Sequence, residues 1–401
     1  MIAARAALLA ALLLANLAAH AQPSDASDVA PALRGGVMAY RAGDLATAEL
    51  NLRRLVPDNP DAEAWLGAVL LDRGQSREAL QALQHAADSG SAEGAHRLAL
   101  VFAQGLAGTP RNDARALELF EKAAALGNQR AQANIGILYF RGQGVPRDLV
   151  QARAWLEKAA ANNDPYALYA LGRAMDETLG PAAADPVRAA DLYQRAAELG
   201  HPLAALRYGL ALTEGTGVKK DLVMAHKWLM YAQKNGVPEA ALALGDNYAR
   251  TPPSRDKAAN EKILQAAVSW YEAAAQAGVA SAQLKLANAY VAGAGVARDP
   301  VQAQRWYFRA AQQGLPDAEL ALGLLFIGGV AGTANPAEGY KWLLIAERAG
   351  HPESRSVREK AAEQVPEGDR KRAEALAQKF AAVPERPPDE LPPRLGGQPR
   401  P

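Results

Sequence analysis

Three residue pairs in this chain recur at one interval: Ala282 and Ala318, Trp306 and Trp342, and Gly314 and Gly350 are each 36 residues apart. The step from Trp155 to Trp228 is 73, close to two such intervals. Self-similarity at a period of this size marks a stacked array, in which each unit is too small to bury its own apolar face and does so against its neighbours. The stretch Ala131 to Tyr166 shows the plan. Ala131, Ile135, Gly136 and Tyr139 share one helical stripe. Gly142, Gly144 and Pro146 stop that helix, because glycine takes left-handed angles and proline cannot continue a helix. A second helix opens near Asp148, an N-cap residue type, and carries Ala152, Trp155, Ala159 and Ala160 on one face.

Along the chain the expected organisation is as follows. Residues 1–21 read as a secretory signal: Arg5 supplies the positive start, Ala6 to Leu17 an apolar run, and Ala19-His20-Ala21 a small-residue cleavage site ahead of Gln22. That apolar run is shorter than the roughly 20 residues that span a bilayer. Residues 22–31 are a linker, and 32–90 hold two helix pairs with tight turns at Gly43-Asp44 and Gly74. Seven longer pairs fill 91–352, making about nine in all. In 167–202 Leu179-Gly180-Pro181 replaces the glycine loop, and in 240–279 Thr251 to Asp256 replaces it, with the second helix opening early near Asp256. Residues 353–382 form a charged helical cap, and the proline-dense stretch 383–401 is expected to stand off the packed body.

Composition removes several kinds of function. The formal charge of +1 predicts neither nucleic acid nor an anionic membrane as the main partner. The absence of cysteine excludes disulfides, thiolate metal sites, a thiol nucleophile and a lipidated cysteine behind the signal. With an export signal, this points to the bacterial periplasm, with secretion beyond the cell as the alternative. No G-x-S-x-G, P-loop or H-E-x-x-H string occurs, and no two of the six His stand at i, i+4 on one helix, so no catalytic residue, metal or cofactor is assigned. The Gly-x-Gly strings at 142–144, 215–217 and 293–295 follow no strand and read as inter-helix turns. Trp155, Trp228, Trp270, Trp306 and Trp342 hold one place in the repeat, which favours packing over a ligand-stacking ladder.

The repeated string A-x-x-x-L-G-x-x-Y-x-x-G-x-G-V-x-x-D-x-x-x-A-x-x-W-x-x-x-A-A-x-x-G, fullest in 131–163, 204–236 and 282–314, resembles the Sel1-like repeat over roughly residues 90–350. The two N-terminal pairs resemble plain tetratricopeptide repeats. The resemblance implies an all-α fold: a right-handed α/α superhelical solenoid with a concave inner surface. Family members mostly act as adaptors or scaffolds, in bacterial envelopes as regulators of signalling and factors in exopolysaccharide export. Cysteine-rich secreted members have been linked to penicillin binding, and this chain lacks those cysteines. The expected function is therefore a non-catalytic periplasmic scaffold or regulatory adaptor for protein partners. The alternatives are a scaffold or glycan binder in exopolysaccharide or cell-wall assembly and, with least support, a penicillin-directed enzyme. Binding is expected on the concave face, through first-helix residues that the repeat frame leaves free: Arg97, Asn134, Phe140, Arg141, Tyr169, Arg173, Arg207, Asp246, Asn247, Lys285 and Asn288.

Overall fold

A computed structural model describes residues 31–176, 185–332 and 334–385. The expected signal (1–21), nearly all of the linker and the loop Leu179-Gly180-Pro181 lie outside the described residues. The chain divides into two compact units that meet in sequence at His201 and Pro202. The first contains α1 (Arg34–Arg41), α2 (Leu45–Arg53), a 3-10 turn (Val56–Asp58), α3 (Pro60–Asp72), α4 (Ser76–Asp88), α5 (Ala92–Gln104), α6 (Asp113–Ala125), α7 (Gln129–Arg141), α8 (Leu149–Ala160), α9 (Pro165–Asp176) and α10 (Pro186–Glu198). The second contains α11 (Pro202–Glu214), α12 (Leu222–Lys234), α13 (Pro238–Ala249), α14 (Lys257–Gln276), α15 (Ala280–Ala292), α16 (Pro300–Gln312), α17 (Pro316–Gly328), α18 (Pro336–Arg348), α19 (Ser354–Ala362) and α20 (Glu367–Gln378). Every described element is helical, and consecutive helices pack as pairs, so each unit is an α/α solenoid. Among the described residues no helix is long and apolar enough to cross a membrane.

The repeat residues each do one local job. The aspartate or asparagine after the loop caps the second helix: Asn112, Asp148, Asp221, Asp299 and Asn335 accept from backbone N–H groups of the first turn. The same residue closes the loop with its own N–H, which donates to a carbonyl in the last turn of the first helix, as from Asp148 to Tyr139 and from Asp299 to Tyr290 (both 3.0 Å). Gly142 and Gly293 end their helices in the left-handed conformation. The second loop glycine makes the stack. A Cβ on Gly144 would sit 2.5 Å from the backbone of Asp113, and one on Gly295 2.4 Å from that of Leu264, so each loop presses on the second helix of the preceding pair. Pro202, Pro238 and Pro316 open first helices at N1, where a missing N–H costs nothing. As the altered loop predicts, α14 starts early, capped by Asp256.

Within a pair, the glycine of the first helix admits one side chain of the second. A Cβ on Gly136 would lie 2.6 Å from Leu156, and similarly close approaches, from 2.6 Å to 3.0 Å, join Gly209 and Leu229, Gly172 and Tyr193, Gly245 and Tyr271, and Gly323 and Leu343. In four of these pairs the admitted residue directly follows the repeat tryptophan. It is buried, while Trp155, Trp228, Trp270 and Trp306 are only half-buried; Trp342 alone of the five is buried outright. The tryptophans still pack as structural residues. Trp306 lies against the cores on both sides of its helix, and Trp342 meets Phe308 and Phe380 edge-on. Lys158 and Arg309 cover the rings of Trp155 and Trp306, so these faces are already occupied by the protein.

The cap packs α19 and α20 against α18. One expectation needs correcting here. Residues 383–385, assigned to the tail that stands off the body, are held on it: the Val383 N–H donates to the Gln312 carbonyl at 2.9 Å, and Glu385 pairs with Arg309. The body's partners are the Gln312 carbonyl and the Arg309 guanidinium, some seventy residues earlier in the chain, which composition alone does not reveal. Residues 386–401 lie outside the described residues.

Candidate partner-binding face

First helices of neighbouring pairs touch directly, α3 with α5 and α7 with α9 in the first unit and α11 with α13 in the second. They form the inner layer of each unit, and the eleven residues expected to bind a partner all belong to it.

Three of these are not open surface. Arg97 is 2% exposed. Its guanidinium lies 3.9 Å from the Trp65 ring centroid on α3 and pairs with Glu93 at 2.6 Å. A planar, weakly hydrated guanidinium stacks on an indole and gives up its water more readily than an ammonium, which suits it to full burial. Asn134 is also buried, its amide donating to His96 Nε2 at 3.1 Å. Tyr169 is buried between His201, stacked at 4.6 Å, and Tyr193, tilted at 5.9 Å. The period marks which residues vary between repeats; Arg97 and Asn134 vary because they join one pair to the next, whereas Tyr169 packs inside its own pair. Burial alone would raise the Glu93 carboxyl, but Arg97, His96 and Arg130 overcome it and hold the group at about 2. Burial, with Arg130 and Arg97 and against the pull of Glu93, pushes His96 down to about 4. The ring is therefore neutral at physiological pH. Because Nε2 accepts from Asn134, the proton sits on Nδ1, which is buried without a hydrogen-bond partner.

In the first unit Phe140, Arg141 and Arg173 are half-buried. The guanidiniums of Arg147 and Arg173 stand 5.6 and 5.9 Å from the Phe140 ring centroid, and Arg147 Nε donates to the Phe140 carbonyl at 2.9 Å. The C-terminal ends of α7 and α9 thus gather arginines about an aromatic ring.

In the second unit Arg207 and Asn288 are exposed, and Asp246, Asn247 and Lys285 are half-buried. Four of them, Asp246, Asn247, Lys285 and Asn288, are held by neighbouring side chains. Asn247 donates to Thr213 Oγ1 at 3.2 Å, linking α13 to α11, and Lys285 reaches from α15 to Asp246 at 3.0 Å. Asp246 also accepts from the Tyr271 hydroxyl at 2.8 Å, and Asn288 accepts from Tyr307. Burial and the Asp246 carboxylate both push the Tyr271 hydroxyl up, so it stays a donor. The sequence reading missed Trp65, His96, Thr213, Tyr271 and Tyr307. Two of them carried a signal: after the repeat tryptophan, Tyr271 and Tyr307 stand where Leu156, Leu229 and Leu343 stand in other pairs.

Seven segments of the chain, residues 92–128, 129–164, 165–201, 202–232, 264–279, 280–315 and 316–351, match the Sel1 repeat, and together they make up more than half of it. The chain belongs to the Sel1 repeat family. Six of the seven Sel1 segments begin at the first residue of a first helix, from Ala92 of α5 to Pro316 of α17. The gap between 232 and 264 coincides with the altered loop and the early start of α14. The ERAD-associated E3 ubiquitin-protein ligase component HRD3B of Arabidopsis thaliana is 34% identical over 139 residues, which is 32% of this chain and 22% of that protein. The chitin synthase regulator SKT5 of Saccharomyces cerevisiae is 31% identical over 235 residues, 56% of this chain and 33% of that protein. The Sel1 chain therefore spans only about a fifth to a third of these relatives. A solved Sel1 repeat protein from Oxalobacter formigenes superposes with a TM-score of 0.57 at 25% identity, covering 86% of this chain and 98% of its own.

Proposed function

We propose that this Sel1 repeat chain is a non-catalytic protein-interaction scaffold or regulatory adaptor that works in the periplasm. The cluster of Phe140 with Arg147 and Arg173 on the inner layer carries the reading. Arginine and aromatic side chains are the residue types that dominate binding energy at protein interfaces, and this ring and its arginines are partly exposed on a rigid helical scaffold. The relatives support it: one is a regulator and one a component of a larger ligase. The proposed contact set is Phe140, Arg141 and Arg173 in the first unit and Arg207, Asp246, Asn247, Lys285 and Asn288 in the second, with Arg97 and Asn134 acting behind it as ties between pairs and Tyr169 packed inside its own pair.

The test is affinity capture from the envelope with the wild-type chain and with Arg141→Glu/Arg173→Glu. Proteins retained by the wild type should be lost from the variant, while melting temperature stays the same. An identical set of proteins on both would sink the assignment of this face.

A further inference from the structure

After α20 the chain turns back across the ends of α15 and α16. Ala382 lies against Gly314, where a Cβ would come within 2.7 Å of its own. The N–H groups of Val383 and Glu385 both donate to the body, the first to the Gln312 carbonyl at 2.9 Å and the second to Gln313 Oε1 at 3.1 Å. Between them stands Pro384, which has no N–H to place. The Glu385 carboxylate then receives three donors: Arg309 Nε at 2.9 Å, Arg309 Nη2 at 2.5 Å and Gln283 Nε2 at 3.0 Å.

The receiving corner is built rather than incidental. Gln283 is fully buried, and its Nε2 is fixed by a second bond to the Ala275 carbonyl at 3.1 Å. Its Oε1 accepts from Gln313 Nε2 at 2.9 Å, so Gln313 is turned with its own oxygen toward the incoming N–H. Arg309 rests on the Trp306 ring, 4.7 Å from the centroid, which aims its fork at the carboxylate. The corner does not read the middle side chains of the held segment: Val383 is 68% exposed. The corner asks only for an extended backbone with a proline-compatible middle residue and a glutamate after it. None of those contacts depends on the covalent link to α20. At the same register the α7–α8 pair has Gln132 and Trp155, with Lys158 in place of the arginine and Asn162 in place of the second glutamine, and Lys158 lies over its tryptophan at 4.5 Å.

We propose that the corner of Gln283, Arg309 and Gln313 is a receptor for an extended Pro-Glu segment, filled in cis by residues 383–385 and taken in trans by such a segment of a protein partner. The tethered copy competes at high effective concentration, so the site opens only when the strap is displaced.

The test uses the full chain and a fluorescein-labelled peptide of residues 381–388, followed by fluorescence anisotropy. Glu385→Arg sets two cations against each other and should free the corner, giving peptide binding at least about tenfold tighter than to the wild type, the scale of a lost charge-assisted pair. Arg309→Glu/Glu385→Arg rebuilds the pair in reverse and should bind as poorly as the wild type. A peptide with glutamine for the glutamate should lose the gain. If Glu385→Arg by itself lowers the melting temperature, Glu385→Gln carries the same comparison. A folded strap variant that takes the peptide no better than the wild type, or takes the glutamine peptide equally well, overturns the proposal.

Discussion

At the scale of single residues, four of the pairs are each locked by a contact between a glycine and the side chain that follows the tryptophan. Leu156 is fully buried against Gly136, so Leu156→Ala should cost about 2–5 kcal/mol, the range for a buried leucine. Trp155 is half-buried beside it, and Trp155→Ala should cost clearly less. Thermal melts of the two variants settle the order; a larger loss at Trp155 would return the tryptophan to the centre of the pair. Glu319 is a second residue whose environment decides its behaviour. It is 1% exposed, its Oε2 has no hydrogen-bond partner, and burial, against the pull of Arg348, pushes its carboxyl up to about 7. Between pH 4.5 and 7 the folded chain keeps a proton that the unfolded chain has lost. Stability contributed by this group therefore falls as pH rises through that window and is level above it. One repeat earlier Gln283 fills the same register as a neutral amide. Glu319→Gln should raise the melting temperature above pH 7, with the gain shrinking toward pH 4.5. A gain that does not change with pH would show that the carboxyl is not the cause.

At the scale of elements, the loops divide their two glycines between different tasks. Gly293 and Gly295 both have φ +69°. Alanine at Gly293 meets only Arg298, at 3.4 Å, and should cost about 1–2 kcal/mol, the price of a left-handed alanine. At Gly295 the new Cβ would also strike the backbone of α14 at 2.4 Å, so Gly295→Ala should cost more and loosen that pair against its neighbour. Melting both variants checks the order, and equal losses would mean the loop does not bear on α14. Helix positions, caps and the early start of α14 were legible in the sequence because they obey local rules of period, capping and glycine geometry. Which residues line the inner face was less legible. A one-dimensional frame separates repeating from varying positions, but Arg97 and Asn134 vary because each closes a contact between pairs, some thirty or more residues away along the chain. The three held residues 383–385 were hidden for the same reason, since their partners Gln283 and Arg309 are far off in sequence.

At the scale of the whole molecule, the proposed periplasmic role depends on the first residues being removed. N-terminal sequencing of the exported protein should read from Gln22, after the Ala19-His20-Ala21 site. A chain still carrying Met1 in the envelope would contradict that assignment. The array is also a set of interchangeable parts, and the tyrosines set the terms of exchange. In the α13–α14 pair the residue against Gly245 is Tyr271, and its hydroxyl emerges on the inner layer to hold Asp246 beside Lys285. A core substitution there thus alters the charge pattern displayed to the outside. Anyone recombining such pairs to build a new recognition surface must move the buried tyrosine together with its surface carboxylate, because copying the visible residues alone would leave behind the group that orients them.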